Sequence, residues 1–283
     1  STVSGPVSLV VHPPPVVTFL SCFDPVTSTE AKPFRLRGGY PQGGSYSGPG
    51  VITATGFFDP AAAGAGPIPV TYKYTNVHNC ADSAQQTLVV QPPPAGFTCG
   101  GIWTDIRDGR GYPTVEIGGR CWFAANLDHG IQVQSSVPQT ENCTVEKYCY
   151  GNNTADCNTY GALYQWDELM RYETQAEGQG LCPPGWHVPS ETEWQGLMAL
   201  FGGPAFAGDT LQSSGPPGFN ALTGGVLYLN HTFSHKGLAT LFWTSTAAGP
   251  LRVISHGMNN EDASVSYYES LRGNAFPVRC VRD

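Results

Sequence analysis

An internal repeat organises the first hundred residues. Ser8-Leu9-Val10-Val11-His12, followed by Pro13-Pro14-Pro15, returns 79 residues later as Thr87-Leu88-Val89-Val90-Gln91, followed by Pro92-Pro93-Pro94. Each copy is a short β-branched run closed by prolines, which donate no ladder hydrogen bond and set a semi-rigid connector. Each therefore has the form of the last strand of a module plus its linker. Between the copies, Val51-Ile52-Thr53-Ala54-Thr55 and Val70-Thr71-Tyr72-Lys73-Tyr74-Thr75 alternate apolar and polar positions between Gly/Pro/Ser-rich turns. That alternation predicts one small all-β sandwich over residues 16–94.

Residues 1–15 are then a strand and proline hinge without a module of their own. The apolar strand carried by Val7, Leu9, Val10 and Val11 needs a sheet edge to satisfy its backbone. It is either the first strand of this sandwich or a donor strand for a neighbouring molecule.

Residues 95–98 read as a linker, and the texture changes beyond it. All six tryptophans and seven of the nine cysteines lie past residue 97. Two helices are expected there. Residues 162–170 carry apolar side chains at three- and four-residue spacing, and Ser190-Glu191-Thr192-Glu193 is a capping box ahead of Trp194, Leu197, Met198, Leu200 and Phe201. Short helices among many strands predict a second domain of α+β class over residues 99–283, so the fold class expected is two domains, all-β then α+β.

Charge and motifs exclude several functions. With 13% charged residues, a net charge of −8 and no Lys/Arg run, the chain offers nothing to track a nucleic acid. No apolar stretch reaches the length of a membrane span. There is no His-Glu-x-x-His pair, no nucleophile elbow and no phosphate-cradling glycine loop, so no catalytic residue and no metal site is assigned and an enzyme is not expected. His187, beside Trp186, reads as a packed structural residue. Asn259-Asn260-Glu261-Asp262 and Asn152-Asn153-Thr154-Ala155-Asp156 hold oxygens suited to Ca2+, although solvated loops explain them better; no other cofactor is expected.

Nine cysteines in no zinc-ligand spacing indicate disulfides formed outside the cytoplasm, and the chain reads as an extracellular, already processed product. Cys22 and Cys80, near the two ends of the predicted sandwich, are candidates for a bridge between its sheets, with connectivity left open by sequence.

A resemblance joins these residue-level readings. Trp103-Thr104-Asp105-Ile106-Arg107-Asp108-Gly109, Val115-Glu116-Ile117-Gly118, Cys121-Trp122, Asn126-Leu127, Tyr160-Gly161-Ala162-Leu163-Tyr164-Gln165-Trp166, Cys182-Pro183-Pro184-Gly185-Trp186-His187-Val188-Pro189-Ser190, Glu193-Trp194, Gly218-Phe219-Asn220-Ala221-Leu222, Phe242-Trp243 and Arg279-Cys280-Val281-Arg282-Asp283 together resemble the Fibrobacter succinogenes major paralogous domain. The resemblance runs from about Cys99 to the end. It departs at Ala125, where an acidic residue is expected before Asn126, and at Thr223, where a proline is expected. It implies a C-type-lectin-like fold, and structural pairing of Cys182 with Cys280, Cys149 with Cys157, and Cys99 with Cys121, leaving Cys143 over.

The first module, through Gly43-Gly44-Ser45-Tyr46-Ser47-Gly48-Pro49-Gly50-Val51, Phe58-Asp59-Pro60, Tyr72-Lys73-Tyr74 and Cys80, is similar to the Ig-like repeats of Bacteroidota surface adhesins. That likeness implies export and display. Asp82-Ser83-Ala84 and Asp209-Thr210-Leu211 resemble O-glycosylation acceptors at Ser83 and Thr210. The expected function is a secreted cell-surface structural or adhesive protein, a filament subunit assembled with copies of itself by strand exchange. The alternative is a monomeric module that binds carbohydrate or another surface ligand on loops around 209–236 or 245–270.

Overall fold

A computed structural model describes residues 10–20, 22, 25–173, 178–213 and 215–283. The core side chains fall into groups on either side of the Pro92-Pro93-Pro94 stretch.

Before it, the long strands Gly66–Thr75 and Ala81–Gln91 form an antiparallel hairpin paired over ten positions, Gly66 opposite Val90 and Thr75 opposite Ala81. Val26–Ser28 adds to the far side of Ala81–Gln91 in parallel, and Ser45–Ser47 closes the other edge of this four-stranded sheet. A three-stranded sheet of Phe34–Arg35, Val51–Ile52 and Phe57–Phe58 supplies the second layer. Alternation decides the packing: Ile68, Val70 and Tyr72 from one strand and Leu88 and Val90 from its partner turn inward onto Phe19, Leu36 and Phe58, forming one core. Asp59 starts the single turn Pro60–Ala63 by accepting from the Ala61 and Ala62 amides.

Beyond the prolines, a five-stranded sheet runs Ile102–Thr104, Gly111–Ile117, Arg120–Phe123, Val281–Arg282, Trp186–His187, which brings the last strand of the chain beside one of the first. The antiparallel sheet Ala239–Ala247, Arg252–Asn259 and Val265–Leu271 shares a core with it, Phe242, Met258 and Val265 packing with Ile117, Trp122 and Val281. All six tryptophans are buried, so they form core rather than exposed platforms. Trp186 packs among Phe97, Trp103 and Phe123, and Trp194 among Trp122, Phe219 and Phe242.

The α+β expectation for this half is corrected, and a C-type-lectin-like assignment with it. Over the described residues of the whole chain strands hold 35% and helices 12%, and the longest described helix, Glu191–Ala199, has nine residues. That helix carries the capping box as expected, with Ser190 accepting from the Glu193 amide while the Glu193 carboxylate accepts from the Ser190 amide. The other expected helix shrinks to Trp166–Leu169. Tyr164 and Gln165 pair instead with Phe276 and Ala275, and the Tyr164 hydroxyl donates to the His129 carbonyl at 2.7 Å. Ladder and side-chain bonds made in the tertiary fold outweigh the local periodicity.

The cysteine expectation is corrected too. Cys22 bridges to Cys143, 121 residues away, and not to Cys80, which is free and half-buried; Cys143 is therefore not the cysteine left over. Cys80 sits at the tip of the Gly66–Thr75/Ala81–Gln91 hairpin, whereas Cys22 lies beside Arg37, to whose carbonyl its amide donates. The remaining bridges are Cys99–Cys121, Cys149–Cys157 and Cys182–Cys280, the three pairs that the resemblance implied.

Candidate functional site

Of the predicted assembly strand, Val7 and Leu9 lie outside the described residues. Val10 and Val11 are described and belong to no strand, and residues 10–17 join no sheet among the described residues. Val10 is 69% exposed, Val11 80% and Val16 81%. The segment runs past the hairpin tip, where His12 stacks on His78 with ring centroids 3.5 Å apart and the Cys80 thiol lies 3.5 Å from the His12 carbonyl oxygen. It does not become the first strand of the sandwich: Thr18–Phe19, after the prolines, pairs with Gly39–Tyr40. Val10 and Val11, apolar, exposed and outside every ladder among the described residues, are chemically a strand segment in want of a sheet.

The two halves of the chain are fastened by more than the Cys22–Cys143 bridge. The Arg37 guanidinium meets Glu141 and, at 2.6 Å, Glu173. Arg282 reaches Glu30 at 2.9 Å, and Lys32 reaches Asp283 at 3.0 Å. Asp283 in turn accepts from His187 Nδ1 at 2.6 Å, while His187 Nε2 faces Glu193 at 3.0 Å and Glu193 pairs with Arg120 at 2.6 Å. Burial opposes the charge on His187, yet its bonds to Asp283 and Glu193 raise its pKa. Burial also works against ionised Glu193, but His187 and Ser190 hold it down to about 2. A histidine between two carboxylates, with Ser190 bonded to Glu193, is a charge-balanced fastening and not a nucleophile–base pair.

A model of the Fibrobacter succinogenes major domain family matches residues 115–282, more than half of the chain. The chain belongs to that family. No curated protein and no solved structure matches the chain.

The matched major domain contains the Cys149–Cys157 and Cys182–Cys280 bridges and the His187–Glu193 pair, while the sandwich lies outside it. Four disulfides in all fit an oxidising, extracellular setting, and no described helix is long and apolar enough to cross a membrane.

Sequence reading did not single out Asp105, Asp108 and His129 as a cluster. The fold brings one ligand atom of each within 4.8 Å of the others. The residues present do not fit a resident cation well, because Arg107 already binds both oxygens of buried Asp105, at 2.9 Å through Nε and 2.7 Å through Nη2, and Asp108 is committed to His129 Nδ1 at 2.8 Å. In the loops considered for Ca2+, the oxygens bond their own backbone: Asn259 accepts from the Glu261 and Asp262 amides, Asp262 from Ser264, and Asn153 caps the helix Thr154–Tyr160. Asp156 pairs with Lys236.

Glu168 was also missed. It is buried, accepts from the Glu146 amide at 2.8 Å and the Tyr172 hydroxyl at 2.8 Å, and burial pushes its pKa up to about 7. Its only sequence signal was an acidic residue on an otherwise apolar face. Ser83 is exposed on strand Ala81–Gln91, and Thr210 is half-buried in helix Ala207–Gln212.

A cleft of about 330 Å³ opens between helix Glu191–Ala199 and strand Val265–Leu271; of the segments considered for a ligand it takes only His256, Val265 and Tyr267, which lie on strands rather than loops. Glu191 holds His256 Nε2 at 2.6 Å and Gln195 at 2.8 Å on one side, and Tyr267, 52% exposed, lines the other.

Proposed function

We propose that this protein is a secreted structural and adhesive subunit of the cell surface, joined end to end with a neighbouring unit through its N-terminal strand and carrying the major domain on display, so that the units make up a filament. The observation that carries this reading is the exposure of Val10 and Val11 in a segment that joins no sheet, although the same sequence pattern at 87–91 is an interior strand. Main-chain pairing together with burial of alternate side chains makes strand addition a strong mode of association. The similarity of the first module to adhesin repeats agrees with it. The fastening between the two halves suits a unit that bears load along its length, since a cross-link and ion pairs keep the halves from separating.

Immunogold electron microscopy of the native surface material, with antibody raised to the full chain, tests the proposal. Label spaced along extended fibres is the expected result. Label on dispersed single particles would overturn it.

A second reading, a carbohydrate-binding module, is favoured by the Tyr267 cleft. An exposed aromatic ring can stack on a sugar face, and the Glu191 carboxylate and Gln195 amide can bond hydroxyls. Glycan-array binding by the full chain that is lost in Tyr267→Ala would support this reading, and no binding to any glycan would reject it.

A further inference from the structure

One sequence pattern occupies two environments in this molecule. At 87–91 it ends the strand Ala81–Gln91, held antiparallel by Gly66–Thr75 and parallel by Val26–Ser28. There Leu88 and Val90 are 1% and 2% exposed, while Val89 points outward at 40%. In the earlier copy Val11 corresponds to Val90 and is 80% exposed, and Val10 corresponds to Val89 and is 69% exposed. Both copies run into three prolines. The earlier copy therefore has the side-chain alternation and the stop of a strand that closes a sandwich of this pattern, with Val11 as its inward residue.

The corresponding slot in this chain is already filled. Residues 87–91 are bonded on both sides: the Val89 amide donates to the Pro25 carbonyl at 2.9 Å and the Thr29 amide to the Gln91 carbonyl at 3.0 Å, opposite the ladder to Gly66–Thr75. For a second folded copy to accept the earlier segment there, it would have to expel a strand of nearly the same sequence, exchanging like for like with no gain in burial. The productive acceptor is a sandwich of this pattern that lacks its own closing strand.

We infer that this acceptor is a copy of the sandwich lying upstream in the same polypeptide, and that residues 10–15 are part of its closing strand and linker, as residues 89–94 are for the sandwich described above. The inference rests on the proposal that the N-terminal strand engages a neighbouring unit, and names that unit. The units are then strung covalently, each closed by a Val-Val strand and separated from the next by prolines.

The test extends the full chain. Residues 16–86 are fused directly before Ser8, so that Gln86 joins Ser8 as it joins Thr87 in the existing sandwich. Hydrogen exchange read by mass spectrometry should slow at Val10 and Val11 by roughly 100-fold or more relative to the original chain. Val11→Asp should abolish that protection in the extended chain and speed exchange in the added sandwich that the strand closes, with exchange in the original residues 16–283 unchanged, and in the original chain it should change nothing. Equally fast exchange at Val10 and Val11 in both chains would overturn the inference.

The native protein supplies a second arm. After boiling in denaturant and reductant, it should run well above the 30.2 kDa of this chain. Fibres that dissolve into 30.2 kDa chains would instead mean exchange between separate molecules. That outcome overturns the inference and leaves the surface-subunit proposal standing, whereas absence of fibres sinks the proposal independently of the exchange result.

Discussion

His187 Nδ1 lies 2.6 Å from Asp283 Oδ1, and the same carboxylate oxygen lies 3.0 Å from Lys32 Nζ in the sandwich half of the chain. One carboxylate thus serves the interior of the major domain and its junction with the sandwich. The raised pKa of His187 means that its contribution to stability is complete below its unfolded value and is lost as pH rises through the folded one. Asp283 and Glu193 run the other way: burial opposes their charge, but His187 holds both below the ordinary carboxylate range, so their contribution is present above the unfolded value and lost as pH falls. Denaturant unfolding should therefore show greatest stability from this group between about pH 5 and the unfolded histidine value of about 6.5, declining as pH rises through the raised His187 pKa. His187→Ala, which removes the group shared by buried Glu193 and solvent-accessible Asp283 but leaves them Arg120 and Lys32, should cost about 1–3 kcal/mol at pH 6, and a loss that is the same at pH 6 and pH 9 would contradict the assignment.

The Cys22–Cys143 bridge makes a prediction about covalent structure. Digestion without reductant should yield a peptide joining Cys22 to Cys143, with Cys80 alone reacting with thiol reagent; a Cys22–Cys80 peptide would contradict it. Since a bridge over a loop of that length restrains the unfolded chain by about 4–5 kcal/mol, Cys143→Ser should lower the stability of the sandwich by a sizeable part of that amount. The core around Trp186 and Trp194 keeps its three other bridges and should hold its near-ultraviolet signal.

How far these features were legible depends on whether they are local. The capping box at Ser190 and Glu193 and the long alternating hairpin were readable because neighbouring residues decide them. Tyr164 and Gln165 misled, since their helical spacing is overruled by pairing with residues more than a hundred positions away. Cys22 misled for a similar reason, as its position near the start of a module does not reveal a partner 121 residues away. The His187–Asp283 contact was hidden because the sheet that joins Trp186–His187 to Val281–Arg282 is a product of the whole chain, and the Asp105–Asp108–His129 cluster because His129 meets Asp108 across 21 residues with no ligand-spacing motif.

Glu168 predicts a second pH dependence of opposite origin. Burial raises its pKa from an ordinary carboxylate value to about 7, so the neutral form is favoured in the folded state; stability is full below the unfolded value and declines as pH rises to about 7. A shift of that size is worth about 3 kcal/mol. Glu168→Gln keeps its oxygen as the acceptor for the Glu146 amide, turns its NH2 toward the Tyr172 oxygen, which can accept, and removes the buried charge, so it should raise stability at pH 8 and have little effect at pH 4. Equal effects at the two pH values would show that the carboxyl does not titrate in this range.

Val11 and Val90 offer the most direct comparison, because they are the same residue in two copies of one pattern. Val90 is 2% exposed among Ile68, Val70, Leu88 and Phe58, and truncating it to alanine removes buried methyl groups and leaves a cavity at a cost of about 2 kcal/mol. Val11 is 80% exposed, and the same truncation should change stability by less than about 0.5 kcal/mol. Thermal unfolding of V90A and V11A measured side by side checks both values. A destabilisation by V11A comparable to that by V90A would mean that the earlier strand is packed within its own chain, and the reason for assigning it to a neighbouring unit would disappear.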